Sequence, residues 1–522
     1  MDSKAPEHNK DILRKGRVRQ RRWAPRAKTG CITCSCHKCG STGRRCDGYE
    51  MRAQLDQSNT TRRLAPMPSA WDFVCNDSTE LDNFSFFQSV TTSTLAGIVD
   101  SGFWSRQLLQ FSHHYPALWH GMTALACLHR DYLNHDARLT PPGAREIRNM
   151  KFALKQYNKS IQSLTHLCSK PNLGMSERIV VLATCALFAC VCSLQNCQQQ
   201  AFMHIRNGLK IILEWEADCR NVSSCQDYIA GSMLVLIFTR LDSQVIPYMF
   251  ATDDTQAWID RPVSPLFTQA TFTTLFGAYT SIEAIYNGVV RLVWRFNKRG
   301  LSHRSIAPAE IEAHGRLLQA WDDQLATVLQ KTPELRNSKA VDLLMVRRKL
   351  TELWYCVELT PGEIETDLHV ADCVDMVNGV VRILGDSGDE PDFQGTTAAY
   401  SLETGIVEPL FWVAVRCREP NIRRRALRLL QQYPRREGIC DSTVAFLTAQ
   451  KVMEIEEAGC PRASGAQRTA SPCTAGQWVC ENHRVATWDF SLVSESQVVV
   501  VYKTVEDCVL DGPGVRIVYS WW

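Results

Sequence analysis

The sequence has little net charge of either sign. Its 58 Lys and Arg against 55 Asp and Glu leave +3 over 522 residues. Nothing global in that balance asks for a nucleic-acid or membrane partner. The first residues, MDSKAPEHNKDILRKG, lack an apolar stretch, so no secretory signal peptide is expected. Long apolar runs are scarce as well. The longest, Ile179 to Leu194, contains Thr184 and Ser193 and falls short of a spanning length, which predicts a buried core helix and no membrane association. The usual signatures of catalysis are missing: there is no G-x-S-x-G, no H-E-x-x-H, no Walker phosphate loop and no dinucleotide fingerprint. His129-Arg130-Asp131 matches part of a kinase catalytic loop, but the Gly-rich loop and D-F-G that must accompany it are absent. No enzyme is expected.

What is present begins with cysteine. The chain has 22, but they are spread over its length, and several (Cys127, Cys185, Cys190, Cys192) sit inside apolar helical runs. Without a signal peptide they are expected to be free thiols in a reducing compartment. Composition is otherwise that of soluble globular protein, 45% hydrophobic and 22% charged, in a chain long enough for more than one domain.

Charge is concentrated locally. Between Lys10 and Arg45 stand Arg14, Lys15, Arg17, Arg19, Arg21, Arg22, Arg26, Lys28, Lys38, Arg44 and Arg45, opposed only by Asp11. A basic arm on a near-neutral body is the pattern of a phosphate-contacting or nuclear-import tail, or of a solvated disordered end. Residues 1–30 read as this arm, 31–49 as a cysteine cluster, and 50–80 as a linker without the apolar heptads of a dimerising coiled coil.

From residue 81 the pattern becomes helical. Leu118, Met122, Leu125, Leu128 and Tyr132 form one apolar stripe; Phe152, Tyr157, Ile161, Leu164 and Cys168 form another. Phe272 to Val293 keeps one apolar face over about six turns, and Leu343 to Val357 repeats the pattern. Pro409 to Arg416 predicts a helix ended by Pro420, and Ile422 to Leu430 another ended before Pro434. Strand patterns are lacking until Val498–Tyr502 and Val515–Tyr519, which flank Gly512-Pro513-Gly514 and predict a small hairpin. The fold class is therefore all-α: a helical domain over 81–460, then a loop and C-terminal tail over 461–522.

The cysteine cluster is the most specific feature. Cys31, Cys34, Cys36, Cys39 and Cys46 lie within sixteen residues beside the basic arm. Thiolate pairs at C-x2-C spacing can hold zinc tetrahedrally. Arg26-Ala27-Lys28-Thr29-Gly30-Cys31-Ile32-Thr33-Cys34 resembles the opening of the fungal Zn(2)-Cys(6) binuclear cluster. Cys36-His37-Lys38-Cys39 and Arg44-Arg45-Cys46-Asp47-Gly48-Tyr49 resemble its closing half. The resemblance implies that the five cysteines correspond to the first, second, fourth, fifth and sixth thiolate ligands of two zinc ions, with Cys31 and Cys36 as bridges. It also implies DNA contact by Arg17, Arg19, Arg21, Arg22, Arg26, Lys28, Lys38, Arg44 and Arg45.

The third ligand is missing, and with it the short basic helix that the family places in the major groove. Only Ser35 separates Cys34 from Cys36. Three explanations stand side by side: coding sequence omitted between these cysteines, a real deletion with loss of specific DNA binding, or a single zinc with DNA held by the basic arm. The family reads short CGG-type half-sites, a specificity that does not carry over without the helix.

The body extends the resemblance over roughly residues 84–460. Phe103-Trp104-Ser105-Arg106-Gln107-Leu108-Leu109-Gln110, Ala201-Phe202-Met203-His204-Ile205-Arg206-Asn207-Gly208, and Pro409-Leu410-Phe411-Trp412 through Arg423-Arg424-Arg425 and Pro434-Arg435-Arg436 resemble the helical regulatory region of fungal zinc-cluster factors. His120, His129 and His204 on apolar stretches are expected to be core histidines. The arginine groups are expected on a solvated or ion-paired helix face before a second nucleic-acid surface. The resemblance implies a nuclear, zinc-dependent, sequence-specific regulator of RNA polymerase II transcription. Its partners would be the transcription machinery or co-regulators, and DNA, the latter weakened or lost if the sequence is complete. The alternative is a helical interaction or effector-sensing protein that does not bind DNA.

Overall fold

The fold is that of a computed structural model, which describes residues 77–98, 102–134, 144–218, 225–246, 271–298, 308–357, 362–385, 398–403, 405–458, 479–494 and 497–520. The basic arm, all five cluster cysteines and residues 50–76 of the linker lie outside these residues, and residues 78–80, read as the linker's end, belong to the first helix. The described body is built from helices, as the apolar stripes predict. The chain enters through α1 (Ser78–Phe86), whose first turn is capped by the Asp77 carboxylate accepting from the Thr79 N–H. A π-helical turn, Phe87–Thr91, carries it into α2 (Thr92–Ala96), and a second, Phe103–Gln107, into α3 (Leu108–Ser112).

Five long helices follow: α4 (Pro116–Asn134), α5 (Ala144–Cys168), α6 (Met175–Leu194), α7 (Gln198–Asp218) and α8 (Cys225–Val245). The α6 helix is apolar nearly all round and is buried from Ile179 to Ser193. Among the described helices it alone is long and apolar enough to cross a membrane, but 83% of that stretch is enclosed by protein. It packs against α4, α7 and α8, so its uniform apolarity is met by neighbours on every side.

The second half contains α9 (Leu275–Lys298), α10 (Pro308–Lys331), α11 (Lys339–Cys356), α12 (Val370–Leu384), α13 (Val407–Arg416), α14 (Pro420–Gln432) and α15 (Ser442–Glu457). Phe272 stands before α9, not in it, and stacks obliquely on Trp321 of α10. Pro420 does not end α13. It is the first residue of α14, where a missing N–H costs nothing, and the preceding Glu419 accepts from the Ile422 N–H at 2.7 Å.

Two small sheets correct the expectation that strands are confined to a tail hairpin. In the body, β1 (Ala399–Ser401) pairs in parallel with β2 (Arg435–Glu437), which pairs antiparallel with β3 (Cys440–Asp441). These strands are too short to show alternation in sequence. In the tail, β4 (Val485–Ser494), β5 (Gln497–Thr504) and β6 (Val515–Ser520) form an antiparallel sheet in that order. Val498–Tyr502 and Val515–Tyr519 do pair, Val498 opposite Tyr519, but a short helix α16 (Val505–Leu510) stands between them where a tight turn was expected. Val485, Val498, Val500 and Tyr502 join the main core, so the tail sheet packs onto the helices.

Candidate functional site

The body's chemistry is concentrated in buried ion pairs. At the junction of α9, α11 and α13, the Arg347 guanidinium donates to both Glu283 oxygens, at 2.7 and 3.0 Å, and to Glu408 at 2.7 Å. The Tyr286 hydroxyl donates to Glu408, and its ring lies 3.8 Å beneath Arg347. Burial opposes the charge on Arg347, but Glu283 and Glu408 outweigh it and raise the guanidinium well above its usual range. The Tyr286 hydroxyl is pushed up by burial and then by Glu408, so it stays a donor.

A second buried pair lies between α8 and α9. Asp242 accepts from Arg291 at 2.6 and 3.0 Å and from the Asn287 amide at 2.8 Å. Nearby, Arg240 donates to the Tyr279 hydroxyl at 2.8 Å.

The arginine groups singled out in sequence are ion-paired, as expected, and Arg423 and Arg436 among them are buried, not solvated. Arg423 of α14 is buried, donates to the Ala414 carbonyl at 2.8 Å and pairs with Glu456 at 2.6 Å. Arg418 pairs with the same Glu456 at 2.9 Å and with Glu363 at 3.0 Å. Burial alone would raise the Glu456 carboxyl; Arg418 and Arg423 hold it below the usual range instead. Glu456 also accepts from the Val485 N–H, which ties α15 to the tail sheet. Arg424 pairs with Glu457, and Arg425 donates to Asn378 at 3.0 Å. Arg436 is buried, pairs with Asp441 at 2.8 Å and donates to the Ser193 carbonyl at the end of α6. Glu437 accepts from the backbone N–H groups of Gly405, Ile406 and Val407 at 2.9 to 3.1 Å, so a strand residue secures the start of α13. Arg418, Arg423 and Arg436 are occupied inside the body, and Arg424, 39% exposed, is held by Glu457.

His120 and His129 are buried in the core, and His204 is half-buried beside it. His120 Nδ1 meets the Gln156 amide oxygen at 2.7 Å, His129 Nδ1 meets Thr91 Oγ1 at 3.0 Å, and His204 Nε2 meets the Tyr157 hydroxyl at 2.9 Å. Burial lowers all three and takes His129 and His204 down to about 4, so both rings are neutral near neutral pH. The match to a kinase loop dissolves in the structure. His129 is enclosed, Arg130 lies over the Phe86 ring, and Asp131 accepts from Asn149. The described cysteines are free thiols. Burial pushes Cys127, Cys185 and Cys190 up to about 12 and Cys192 to about 11, which suppresses the thiolate form that reacts or binds metal.

Among the described residues no group of three or more His, Cys, Asp or Glu is arranged to hold a metal ion. Every charged cluster described above is held by hydrogen bonds within the fold. Such an arrangement holds helices in one register; it does not present a poised acid, base or nucleophile to a substrate. Sequence reasoning missed the Glu283–Arg347–Glu408 and Arg418–Glu456–Arg423 centres, because their members look like ordinary surface charges until their partners are known. The predicted ligands Cys31, Cys34, Cys36, Cys39 and Cys46 and the predicted DNA contacts from Arg17 to Arg45 lie outside the described residues.

Comparison with known proteins bears on the same body. The model of the fungal specific transcription factor domain matches residues 81–452. A relative, the aspercryptin biosynthesis cluster-specific transcription regulator of Emericella nidulans, is 23% identical over an alignment covering 85% of this chain and 90% of the relative. No solved structure matches the chain.

Proposed function

The chain belongs to the fungal specific transcription factor domain family, whose members regulate transcription and are not enzymes, and from that premise we propose a nuclear regulator of RNA polymerase II transcription with an N-terminal zinc-binding arm. The observation that carries the proposal is the order of parts. A basic arm and a cysteine cluster at Cys31 to Cys46 stand ahead of a body of this family. Phosphate contact would come from Arg17, Arg19, Arg21, Arg22, Arg26, Lys28, Lys38, Arg44 and Arg45. The relative's role makes the genes of a biosynthetic cluster the first targets to test.

Cys31, Cys34, Cys36, Cys39 and Cys46 supply enough thiolates for one four-coordinate zinc, and too few for a six-thiolate pair of ions. Zinc would fold the segment around it and fix the basic arm. A second reading is favoured by Cys34-Ser35-Cys36, which leaves no room for a base-reading helix. In that reading the body acts through protein or effector contacts and DNA is not read in sequence.

The discriminating experiment is to sequence the transcript across the codons for Cys34 to Cys36. An in-frame insertion carrying a cysteine and several Lys or Arg restores the complete binuclear site and the DNA-reading function. Reads matching the present sequence favour the second reading. For this chain as it stands, elemental analysis is expected to give at most one zinc per molecule. Its DNA binding is expected to collapse between low and physiological salt, because phosphate contacts release counterions. Two tightly held zinc ions, or tight selection of one DNA site at physiological salt, would contradict these expectations.

A further inference from the structure

The α5 helix presents a face that the body does not cover. Its inner side packs through Ala153, Gln156, Ser160 and Leu167, all buried. On the outer side Ile147, Leu154 and Ile161 recur every seven residues and keep 46%, 43% and 37% of their surface exposed, with Met150 beside them at 38%. On a helix these four fall within about 60° of one another. Roughly 100° further round runs a second ridge, Arg148, Lys151 and Lys155, all exposed. None of these three has a carboxylate partner among the described residues, whereas the neighbouring Lys159 pairs with Glu80 at 2.7 Å. Lys151, Leu154, Lys155, Asn158, Lys159 and Gln162 share one open stretch of this helix surface.

We propose that this face of α5 is a docking surface for an acidic amphipathic helix of a partner protein. The seven-residue recurrence of branched apolar side chains is the period at which one helix meets another along a seam. The unpaired basic ridge beside the seam sets the sign of the partner, which must carry Glu or Asp next to its apolar stripe. A nucleic acid would use the cations and leave the apolar ridge idle. A lipid surface would need apolar groups that project deeply, and these side chains have more than half of their surface already against the fold. The surface belongs to the body and does not depend on zinc or DNA at the N-terminal cluster.

The test is fluorescence anisotropy with the full chain and a labelled synthetic helix of about twenty residues, Leu at the seam positions and Glu on the flanks. A control peptide has every Glu replaced by Lys. The acidic peptide is expected to bind and the basic one to fail. Lys151→Glu with Lys155→Glu is expected to weaken the acidic peptide about tenfold or more and to admit the basic one. Leu154→Ser is expected to weaken the acidic peptide while leaving the charge preference intact. Lys151 and Lys155 are exposed, so that variant should keep the wild-type circular dichroism and unfolding midpoint, and Leu154→Ser, which also loses packing against the fold, is compared at a temperature where circular dichroism shows it fully folded, which separates lost docking from lost folding. Equal binding of both peptides overturns the proposal, as does no binding of the acidic peptide up to about 100 µM. It is also overturned if duplex DNA or phosphatidylserine vesicles displace the peptide and bind Leu154→Ser undiminished, which would assign the face to phosphate contact.

Discussion

Replacing Arg347 by Met tests whether the buried charges hold the helices together. The Arg347 side chain is 3% exposed and its partner Glu283 is 0% exposed. Met fills much of the space but leaves Glu283 without two donors and Glu408 without one. Breaking a buried pair from one side costs about 3–5 kcal/mol, because the remaining carboxylate must stay ionised without a partner or take up a proton. Loss of the stacking on Tyr286 adds to this cost. With a urea dependence of about 3 kcal/mol per molar, the unfolding midpoint is expected to fall by about 1 M or more. The assay is urea unfolding of the full chain, followed in parallel by far-ultraviolet circular dichroism and tryptophan fluorescence, whose coincidence tests for a single transition. Adding Glu283→Leu removes the more deeply buried of the two stranded charges, since Glu408 is 18% exposed and keeps the Tyr286 hydroxyl. The double variant is therefore expected to be more stable than Arg347→Met alone, a coupling of opposite sign to simple addition. A midpoint shift below about 0.3 M for Arg347→Met, or a double variant equal to the sum of the singles, would refute the reasoning.

The neutral core histidine gives a pH dependence. His129 sits at about 4 when folded and near 6.5 when unfolded, so below the unfolded value the open chain binds the extra proton and stability falls with pH. Between about pH 7.5 and about pH 5 this site should remove about 2 kcal/mol, and His129→Gln should flatten that part of the profile in urea titrations. Gly208→Ala is expected to destabilise by about 1–3 kcal/mol, since a Cβ there would stand 2.1 Å from the buried Phe238 ring, and a thermal melt reads the loss. Glu456→Gln leaves Arg418 and Arg423 in place around a neutral amide; about 3 kcal/mol or more should be lost, with early exposure of the tail sheet in hydrogen exchange.

The helices were legible because their signal is local. The stripes at Leu118 to Tyr132, Phe152 to Cys168 and Leu343 to Val357 lie on α4, α5 and α11, with Val357 capping the last. Ile179 to Leu194 is the enclosed helix its length suggested. The role of Pro420 was misread because a proline opens a helix as readily as it follows one, and only Glu419 at the cap position decides between them. The strands β1 to β3 were illegible because two or three residues show no period, and Arg435-Arg436-Glu437 looks like a solvated turn.

The sequence by itself determined the helical class, the place of the histidines among apolar helical residues and the family likeness of the body. Each of these is written in short-range spacing or in residue type. Only the tertiary structure decided which charges are inside. Arg436 meets the end of α6 across 243 residues of chain, and Arg347 meets Glu283 across 64. An arginine's period on its own helix says which way it points, but its worth depends on the carboxylate that another helix brings to it. That pairing is a property of the packed body, and the same is true in reverse of Arg148, Lys151 and Lys155 on α5, which meet no acid among the described residues.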